Sequence, residues 1–521
     1  MKVQLMYADR DFDPDAALPV NEPDLAADLE LGTLLGAMAD GDEFLSAVAR
    51  VALHSGLASP AEIVYRQQVL ADCVANPGVV RDLYDLAVAA IGAERQVWGF
   101  LFRATPDTIL HRSRQIMELY LASLRRLADL GAAHAADFRS EGFTRFFALL
   151  ASELTGEYFG EVDERLTELG LKRGTLMSAR LGNGGKGTGY VLRRHPPARG
   201  WRDRLQGRNR AAYRFTIPER DDAGARALSE LASRAVNDTA NSLAQSADHI
   251  KGFFRLLRAE LAFYLGCLNL RQQLLAKGQP VCYPVPAAVR SGRLDARGLY
   301  DASLALILDT PVTGNDVAAD GKQLIMITGA NSGGKSTLLR SIGQAQLMLQ
   351  AGMFAPAEEL SGSVCSALFT HFKREEDPTM ERGKLDEELM RMSAITDWIA
   401  PGAMLLCNES FASTNEREGS QIAREIIRAL TEAGIRVVYV THMYHLAETV
   451  HSSGDDRVLF LRARREPDGS RSYRLHEGAP LPTSYGADLY LETFAELGEI
   501  PGDAGAGCRE NDDVSWKPIT R

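Results

Sequence analysis

Apolar residues recur three and four positions apart along the first third of the chain, which is the spacing of one face of an α-helix. Residues 24–164 are rich in Ala and Leu, and turn-forming residues interrupt them near Pro60 and Pro77. This pattern predicts several antiparallel helices, and we assign residues 24–171 to a helical core and lever. The preceding residues 1–23 are acidic and contain Pro, which predicts a flexible N-terminal arm.

A much longer helix is predicted between Gly224 and Lys277, because this stretch contains no Pro and its apolar residues alternate four and three apart. The alternating residues are Leu243, Ala247, Ile250, Phe254, Leu257, Leu261, Tyr264 and Leu268. At about 1.5 Å per residue such a helix would be up to roughly 80 Å long, enough to connect distant sites as a lever. A helix packed in a bundle would show the same stripe. We assign residues 221–285 to this lever helix and its return to the core.

The stretch between these two helical regions has a different pattern. A Gly-rich run at residues 182–187 separates two short segments, 175–181 and 188–192, that have the composition of strands. This arrangement predicts a two-stranded β-ribbon with a glycine tip, and we assign residues 172–220 to it.

From about residue 291 onward, short apolar runs alternate with helical patterns, which is typical of a parallel sheet flanked by helices. Apolar strands are predicted at residues 324–327, 403–409 and 435–440. We assign residues 286–500 to this α/β domain and the Gly-rich residues 501–521 to a flexible tail.

The composition fits a protein of this organisation. A chain of 521 residues is too long for one core, and 45% hydrophobic with 24% charged residues is ordinary for a soluble globular protein. We find neither a signal peptide nor an apolar run long enough to span a bilayer, so a cytoplasmic protein with no membrane partner is expected. The six cysteines form no C-x-x-C pair, which argues against a zinc site and a disulfide framework.

The net charge of −11 would argue against a nucleic-acid partner, but the charge is unevenly distributed. Residues 172–214 contain twelve Lys or Arg and one acid, Asp203, so this stretch carries +11 and the remainder −22. Such a distribution suits a segment that binds phosphates, although a solvated basic loop without a ligand would look the same. The candidate DNA-binding residues are Lys186, Arg193, Arg194, Arg199, Arg202, Arg204, Arg208 and Arg210.

Residues 329–336 read Gly-Ala-Asn-Ser-Gly-Gly-Lys-Ser and match the phosphate-binding pattern G-x-x-x-x-G-K-[ST]. A predicted strand precedes them and a Pro-free, helix-favouring segment follows, which is the context that this pattern needs. Backbone N–H groups of such a loop surround phosphates, while Lys335 reaches the terminal phosphates and Ser336 ligates Mg²⁺. The sequence therefore predicts a site for ATP or GTP. The predicted nucleotide-binding residues are Gly329, Ala330, Asn331, Ser332, Gly333, Gly334, Lys335, Ser336 and Thr337.

Two later strands end in polar residues that would face the same crevice. One ends in Asn408 and Glu409, and Glu409 is the candidate for orienting or deprotonating the attacking water. Asn408 stands where an Asp is expected; its amide oxygen can bond Ser336 or a water on Mg²⁺ but carries no charge. His442 follows the other strand and is a candidate sensor of the terminal phosphate. The alternative interpretations are that Glu409 is an ordinary surface carboxylate and that His442 has only a structural role.

Three runs together resemble the ATPase domain of the MutS family of DNA mismatch repair proteins. They are residues 327–337, 408–419 and 440–446. The middle run has the length of the family's Walker B and D-loop stretch and keeps Glu409, Thr414 and Gly419. Residues 484–486 also resemble an element that follows the last strands. The resemblance is specific over residues 312–486 and weaker upstream, where the basic ribbon takes the position of the family's DNA-gripping clamp.

The resemblance implies a multidomain fold: an all-α core and lever with a small β-ribbon clamp, followed by an α/β P-loop ATPase domain of the ABC type. It also implies that Asn315 lines the adenine pocket and that ATP and Mg²⁺ are the cofactors. A homodimer through the ATPase domain is implied too, with each chain completing the other's site.

Two departures from the family change the expected function. Helical patterns begin near residue 24, which leaves no room for the mismatch-recognition and connector domains, so we expect binding to branched DNA or to backbone shape. Where the family has a serine-bearing signature loop, this chain has residues 380–389. In this segment we expect Lys384 to contact phosphate instead of the serine.

We therefore expect an ATP-dependent DNA-binding ATPase that closes a dimeric clamp on DNA, in mismatch repair or related processing of DNA structures. One alternative is an ATP-gated clamp that scarcely hydrolyses, because Asn408 and the altered signature loop weaken turnover. The other is an ATPase that acts on structured RNA or ribosomes, since phosphate contacts carry little sequence information.

Overall fold

The first half of the chain folds into a helical body. The computed structural model describes residues 1–97, 105–195, 216–374, 383–465 and 471–481. Hydroxyl or carboxylate side chains accept free backbone N–H groups where several helices begin, as Thr155 does from Tyr158. The helices of the body are α1 Glu22–Asp28, α2 Leu31–Ala39, α3 Glu43–His54, α4 Pro60–Ala75, α5 Pro77–Ala93, α6 Pro106–His134, α7 Glu141–Glu153 and α8 Gly156–Leu169.

The predicted long helix is confirmed as α9, Asp222–Ala276, which runs for 55 residues without a break. Asp221 begins it by accepting the N–H of Gly224 at 2.8 Å. The C-terminal half is buried within the helical body, against which the helix packs through α2, α3, α5 and α6, and Phe254 and Leu257 of the predicted stripe are fully buried. Its first turns are exposed, and the helix contacts the ribbon near Val236 and Ala240, which are buried. The helix therefore connects the ribbon to the centre of the body.

Residues 1–23 do not form a loose arm, and that prediction is wrong. Leu5, Met6 and Phe12 are buried in the core of the helical body. Glu260 of α9, also buried, accepts their backbone N–H groups at 2.6, 3.1 and 3.2 Å. Burial raises the pKa of Glu260 to about 7. The acidic composition of this segment concealed a few apolar residues and a buried acceptor more than 240 positions away.

Replacing Glu260 with Ala removes the acceptor of three backbone N–H groups, so the N-terminal segment should open more readily. We expect amide hydrogen exchange in residues 3–12 to accelerate by at least about tenfold, or about 1.4 kcal/mol of opening free energy. The matched control is Glu230→Ala, since Glu230 is exposed on the same helix. Unchanged exchange in the Glu260→Ala variant would mean that apolar packing alone holds the segment.

The predicted ribbon is also confirmed. Strands β1 Met177–Leu181 and β2 Gly187–Leu192 pair antiparallel, and a short 3₁₀ turn at Asn183–Gly185 forms the tip. No helix among the described residues is both long and apolar enough to cross a membrane.

The second half of the chain folds into an α/β domain that contains two sheets. Its strands are β3 Val285–Ala287, β4 Leu294–Leu299, β5 Asn315–Ala318, β6 Leu324–Gly329, β7 Glu359–Ser363, β8 Leu368–Phe372, β9 Met404–Asn408, β10 Arg436–Val440, β11 Val458–Arg465 and β12 Arg471–Glu477. Its helices are α10 Ala302–Ile307, α11 Lys335–Gln350, α12 Lys384–Thr396, α13 Glu416–Glu432 and α14 Tyr444–His451.

The larger sheet has the strand order β12-β11-β6-β10-β9-β8, and only the edge strand β12 is antiparallel to its neighbour. Its register aligns Val440 of β10 with Ile327 of β6 on one side and with Asn408 of β9 on the other. The carboxyl ends of these central strands therefore lie at one level, so the residues that follow them meet at one edge.

The smaller sheet, in the order β3-β7-β4-β5, is largely antiparallel and is a feature that the sequence did not predict. Arg436 joins the two sheets, because its guanidinium donates to the carbonyl groups of Gly292, Arg293 and Lys322. The strands of the smaller sheet are only three to six residues long, so their hydrophobic pattern is too short to distinguish them from loops in the sequence.

The larger sheet is buried on both faces, as parallel sheets usually are. Ile325 and Ile327 of β6 pack into a core that continues through the helical body, whereas Leu324 and Met326 pack into a second core on the other face. Helix α11 is buried along nearly its whole length between the sheet and the body. The loop before α11 is therefore held by the packing of both halves of the chain.

Candidate nucleotide site

The glycine loop at residues 330–334 connects β6 to the buried helix α11. Gly329 has φ 105° and Gly334 has φ 88°, a backbone conformation that glycine adopts most easily. A Cβ atom at Gly329 would lie 2.8 Å from the backbone N of Ala463, so β11 leaves no room for a side chain there. The loop thus presents the N-terminus of α11, where free N–H groups and the helix dipole favour an anion.

Lys335 is the first residue of α11, and its side chain turns back into the loop. The ammonium donates to the carbonyl oxygens of Gly329 and Ala330, both at 3.0 Å. Burial lowers the pKa of Lys335, Glu409 acts in the opposite direction, and the charge of Arg471 lowers it further. These contacts place a positive charge where the phosphates of a nucleotide would lie.

Ser336 and Asn408 form the pair that the sequence predicts. The Ser336 hydroxyl donates to Oδ1 of Asn408 at 2.9 Å, which joins the start of α11 to the end of β9. Both groups are neutral oxygen donors. They can therefore contribute ligands to a hard cation such as Mg²⁺, but no charge.

Glu409 and His442, which the sequence assigned separately, form one unit. Oε2 of Glu409 accepts a hydrogen bond from Nδ1 of His442 at 2.5 Å and another from its backbone N–H at 3.2 Å. Since an ionised carboxylate only accepts, Nδ1 carries the proton. This bond to Glu409 raises the pKa of His442. Glu409 has φ 54°, a strained conformation that its N–H bond to Val440 helps to hold.

These groups surround a cavity of about 730 Å³, within the usual size range of ligand pockets. Residues 331–337 and Glu409 form its polar wall, while Leu304, Leu308 and Val312 form an apolar wall. Among the predicted residues that the structure describes, Gly329, Ala330, Asn408 and His442 do not line the cavity themselves but adjoin residues that do.

Asn315 lies in the wall of this cavity, but its amide is engaged elsewhere. Oδ1 accepts the N–H of Leu475 at 2.7 Å, and Nδ2 donates to the carbonyl of Tyr473 at 3.1 Å. The role of Asn315 in an adenine pocket stays a prediction; in the structure its amide fixes strand β12 to the cavity.

Tyr473 is a residue of the site that the sequence did not reveal. It lines the cavity, is 52% exposed and has φ 55°. Its carbonyl lies next to Gly334, where an added Cβ would be 3.5 Å away. A single Tyr in a polar segment has no local pattern that indicates a binding site. Tyr473 reaches the loop because β12 pairs with β11.

The basic candidates differ in how far their charge is compensated. Lys186 is exposed at the ribbon tip, and Arg193 donates from Nε to the hydroxyl of Ser178 at 2.8 Å. Arg194 instead forms ion pairs with two acids of α8, Glu164 and Glu168. The role of Arg194 in DNA binding stays a prediction. Outside the described residues lie Arg199, Arg202, Arg204, Arg208 and Arg210.

Two other predicted features, the altered signature loop and the C-terminal tail, lie partly or wholly outside the described residues. Lys384 is the first residue of α12 and does not line the cavity of this protomer. Residues 380–382 and the predicted tail at 501–521 lie outside the described residues.

Fold and site define a class: a helical body joined to an α/β domain whose glycine loop borders a polar cavity at the sheet edge. Comparison with known families assigns both halves. Residues 58–277 match the MutS2 N-terminal domain, and residues 325–497 match MutS domain V. The chain belongs to the MutS family, which confirms the resemblance seen in its motifs.

Individual relatives are similar over parts of their length. A DNA mismatch repair protein MutS of Chloroflexus aurantiacus is 29% identical over 186 residues, which cover 32% of this chain and 19% of the relative. An endonuclease MutS2 of Thermomicrobium roseum is 32% identical over 36% of this chain and 23% of its own length. An endonuclease MutS2 of Lacticaseibacillus paracasei is 28% identical over 53% and 33%. This chain thus spans a third or less of these relatives.

Proposed function

We propose that this protein binds ATP with Mg²⁺ in the cavity beside the glycine loop and that the bound nucleotide controls its grip on DNA. The observation that carries the proposal is the convergence of three groups at one sheet edge: Lys335, the Ser336–Asn408 pair and the Glu409–His442 pair. Phosphoryl transfer requires the same three kinds of group: a cation that binds the phosphates, oxygen ligands for a metal ion, and a side chain that positions the attacking water.

The cavity suits the chemical parts of ATP. Loop N–H groups and Lys335 would hold the phosphates, and the exposed ring of Tyr473 with the apolar wall would hold the base. Ser336 and Asn408 would hold Mg²⁺ through oxygen. When bound, this cation supplies neutralisation of phosphate charge. The α/β domain would thus be a P-loop ATPase domain of the ABC type.

Glu409 is the residue we assign to the attacking water. Its carboxylate lines the cavity, and the two bonds from His442 hold it in place. The same bonds fix the orientation of the carboxylate at the cavity, which favours a role in orienting water.

A second candidate function, an ATP-gated clamp with slow hydrolysis, is favoured by two features of the same site. Asn408 places a neutral amide beside Ser336. Glu409 already accepts two hydrogen bonds from His442. Asn408 thus adds no charge beside the metal ligands, and Oε2 of Glu409 is already engaged by His442, whereas Lys335 and the loop remain to bind ATP.

DNA is the proposed ligand of the ribbon. The relatives are named as DNA mismatch repair proteins and as endonucleases, and the ribbon presents Lys186 and Arg193 at the exposed end of α9. The other end of α9 is buried in the core that continues into the α/β domain. Closure of two α/β domains in a cytoplasmic homodimer would move this helix and the ribbon together. Structured RNA is the competing ligand.

The ribbon gives a matched pair of variants. Removing the exposed charge of Lys186 by substitution with Ala should weaken DNA binding and reduce the slope of log K against log salt by about 0.9. Arg194→Ala should have little effect, because Glu164 and Glu168 already compensate that charge. Fluorescence anisotropy with a labelled duplex at several salt concentrations measures both. Equal effects of the two variants would contradict a ribbon contact through its tip.

The proposed function is tested by measuring DNA affinity with ATP, with ADP and without nucleotide. We expect ATP to change the Kd of duplex or branched DNA for the native protein but not for a Lys335→Ala variant. Structured RNA of matched length is the competitor. A Kd that is insensitive to salt and nucleotide, or tighter binding of RNA, would count against DNA as the ligand.

A further inference from the structure

The turn that follows β9 holds Glu409 in a strained backbone conformation. Glu409 has φ 54° and Phe411 has φ 62°, although neither residue is glycine. Such conformations persist only where the surrounding structure holds them, and they occur most often at functional sites. The geometry of the Glu409 carboxylate at the cavity therefore depends on the contacts that hold residues 409–411.

His371 of β8 contacts both residues that follow Glu409 in this turn. It is fully buried and does not line the cavity. Oγ of Ser410 lies 2.7 Å from Nδ1 of His371 and 2.8 Å from the carbonyl oxygen of the same residue. The imidazole also stacks on the buried ring of Phe411, with 5.4 Å between the ring centroids. The hydroxyl of Ser410 is thus enclosed by the ring and the backbone of a single residue.

The other ring nitrogen of His371 fixes the imidazole to α12. Nε2 donates to the carbonyl oxygen of Glu388 at 3.0 Å. Since a carbonyl group only accepts, Nε2 carries a proton. The carboxylate of Glu388, which is also buried, accepts the hydroxyl of Ser413 at 3.0 Å. Helix α12 is therefore bonded to the turn directly through Ser413 and indirectly through His371.

The contacts that β10 and α13 make with the turn reach its backbone. The hydroxyl of Tyr439 donates to the carbonyl oxygen of Ser410 at 2.6 Å. A Cβ atom at Gly419 would lie 2.4 Å from the carbonyl oxygen of Phe411, so α13 packs closely against the turn. The contact between Ser410 and His371 differs, because a substitution of one side chain removes it and leaves these backbone contacts in place.

We propose that His371 is a positioning residue for the hydrolysis of ATP, because through Ser410 it holds the strained turn in which Glu409 meets the attacking water. This inference rests on the proposed function of the site. A misplacement of about 1 Å can slow a reaction about 100-fold, so a side chain that does not touch the nucleotide can still govern the chemical step. Binding of ATP should depend much less on His371, since Lys335 and the glycine loop lie between other elements, β6 and α11.

The single-turnover rate of hydrolysis and the Kd for ATP, measured separately, test this role. Ser410→Ala removes the hydroxyl with little change of volume and should slow the single-turnover rate about tenfold or more, while the Kd changes by less than about threefold. His371→Asn keeps a polar group near the position of Nδ1 and should retain the native rate within about threefold. His371→Gln keeps only the bond to Glu388 and should be as slow as Ser410→Ala.

A double variant and a matched control separate positioning from general stability. Ser410→Ala combined with His371→Gln should be no slower than either single variant, because each removes the same contact. The matched control is Ser140→Ala, since Ser140 is also a buried serine, and its hydroxyl accepts the N–H of Phe143 at the start of α7. It should lower the Tm without slowing hydrolysis. Thermal unfolding of every variant supplies the comparison.

The outcomes separate this inference from the proposed function. An unchanged rate in Ser410→Ala, an equal loss of rate and affinity, or rates that follow the Tm in all variants would each overturn the inference while ATP binding stands. A native protein that binds ATP without measurable hydrolysis would overturn it too and favour the ATP-gated clamp. Failure of the native protein to bind ATP would overturn the proposed function itself.

Discussion

Substitution of Lys335 with Ala is expected to raise the Kd for ATP at least about a hundredfold, or about 3 kcal/mol. The ammonium is buried at the loop, where its hydrogen-bond acceptors within the described part of the chain are the carbonyls of Gly329 and Ala330, so phosphates would be its natural acceptors. The substitution removes this charge from a site of low dielectric, where its attraction for phosphate is strongest. Calorimetric titration of ATP with Mg²⁺ measures the effect.

The control for this variant is Lys322→Ala. Lys322 also bonds a backbone carbonyl, that of Asp456, but does not line the cavity. Its removal should leave the Kd for ATP unchanged. A Lys335→Ala protein that is folded by circular dichroism and binds ATP normally would show that the nucleotide lies elsewhere.

Glu409→Gln is expected to slow ATP hydrolysis by about 100-fold to 1000-fold, the usual contribution of a positioned general base. The amide keeps the shape of the side chain and one oxygen for His442, but it loses the charge that orients and polarises water. Binding of ATP should change by less than about threefold, because Lys335 and the loop remain intact. Single-turnover hydrolysis separates the chemical step from binding.

Glu432→Gln is the matched control, since Glu432 is exposed and lies outside the cavity. Hydrolysis that is fast and equal in the native and Glu409→Gln proteins would exclude Glu409 from the chemistry. Hydrolysis that is already slow in the native protein and falls no further would favour the ATP-gated clamp, in which His442 and Asn408 restrain turnover.

Local patterns were sufficient to predict the elements that carry the site. The apolar stripe of α9, the run before the glycine loop and the strand that ends in Asn408 each have a period or length that fits one structure. The Ser336–Asn408 bond was predictable too, because parallel strands place their carboxyl ends at one edge. Motif spacing and the common edge of parallel strands therefore predicted most of the phosphate end of the cavity.

Contacts between distant segments were beyond such patterns. Asn315 and Leu475 are 160 positions apart, and nothing near either residue indicates their hydrogen bond. The same holds for Glu260 and the N-terminal segment, whose acidic composition suggested a free arm. The sequence predicted that Glu409 and His442 face one crevice, but their direct hydrogen bond depends on the register of β9 and β10. Long-range pairing, rather than local propensity, decides these features.

ATP turnover by the purified protein, with and without duplex, mismatched and branched DNA, is the direct test of a nucleotide site that is coupled to DNA. We expect turnover that depends on DNA and is lost in both the Lys335→Ala and Glu409→Gln variants. Tight binding of ATP and DNA without turnover would support the slowly hydrolysing clamp. Turnover that no DNA changes at modest salt, or that persists in the Lys335→Ala variant, would contradict a nucleotide site coupled to DNA.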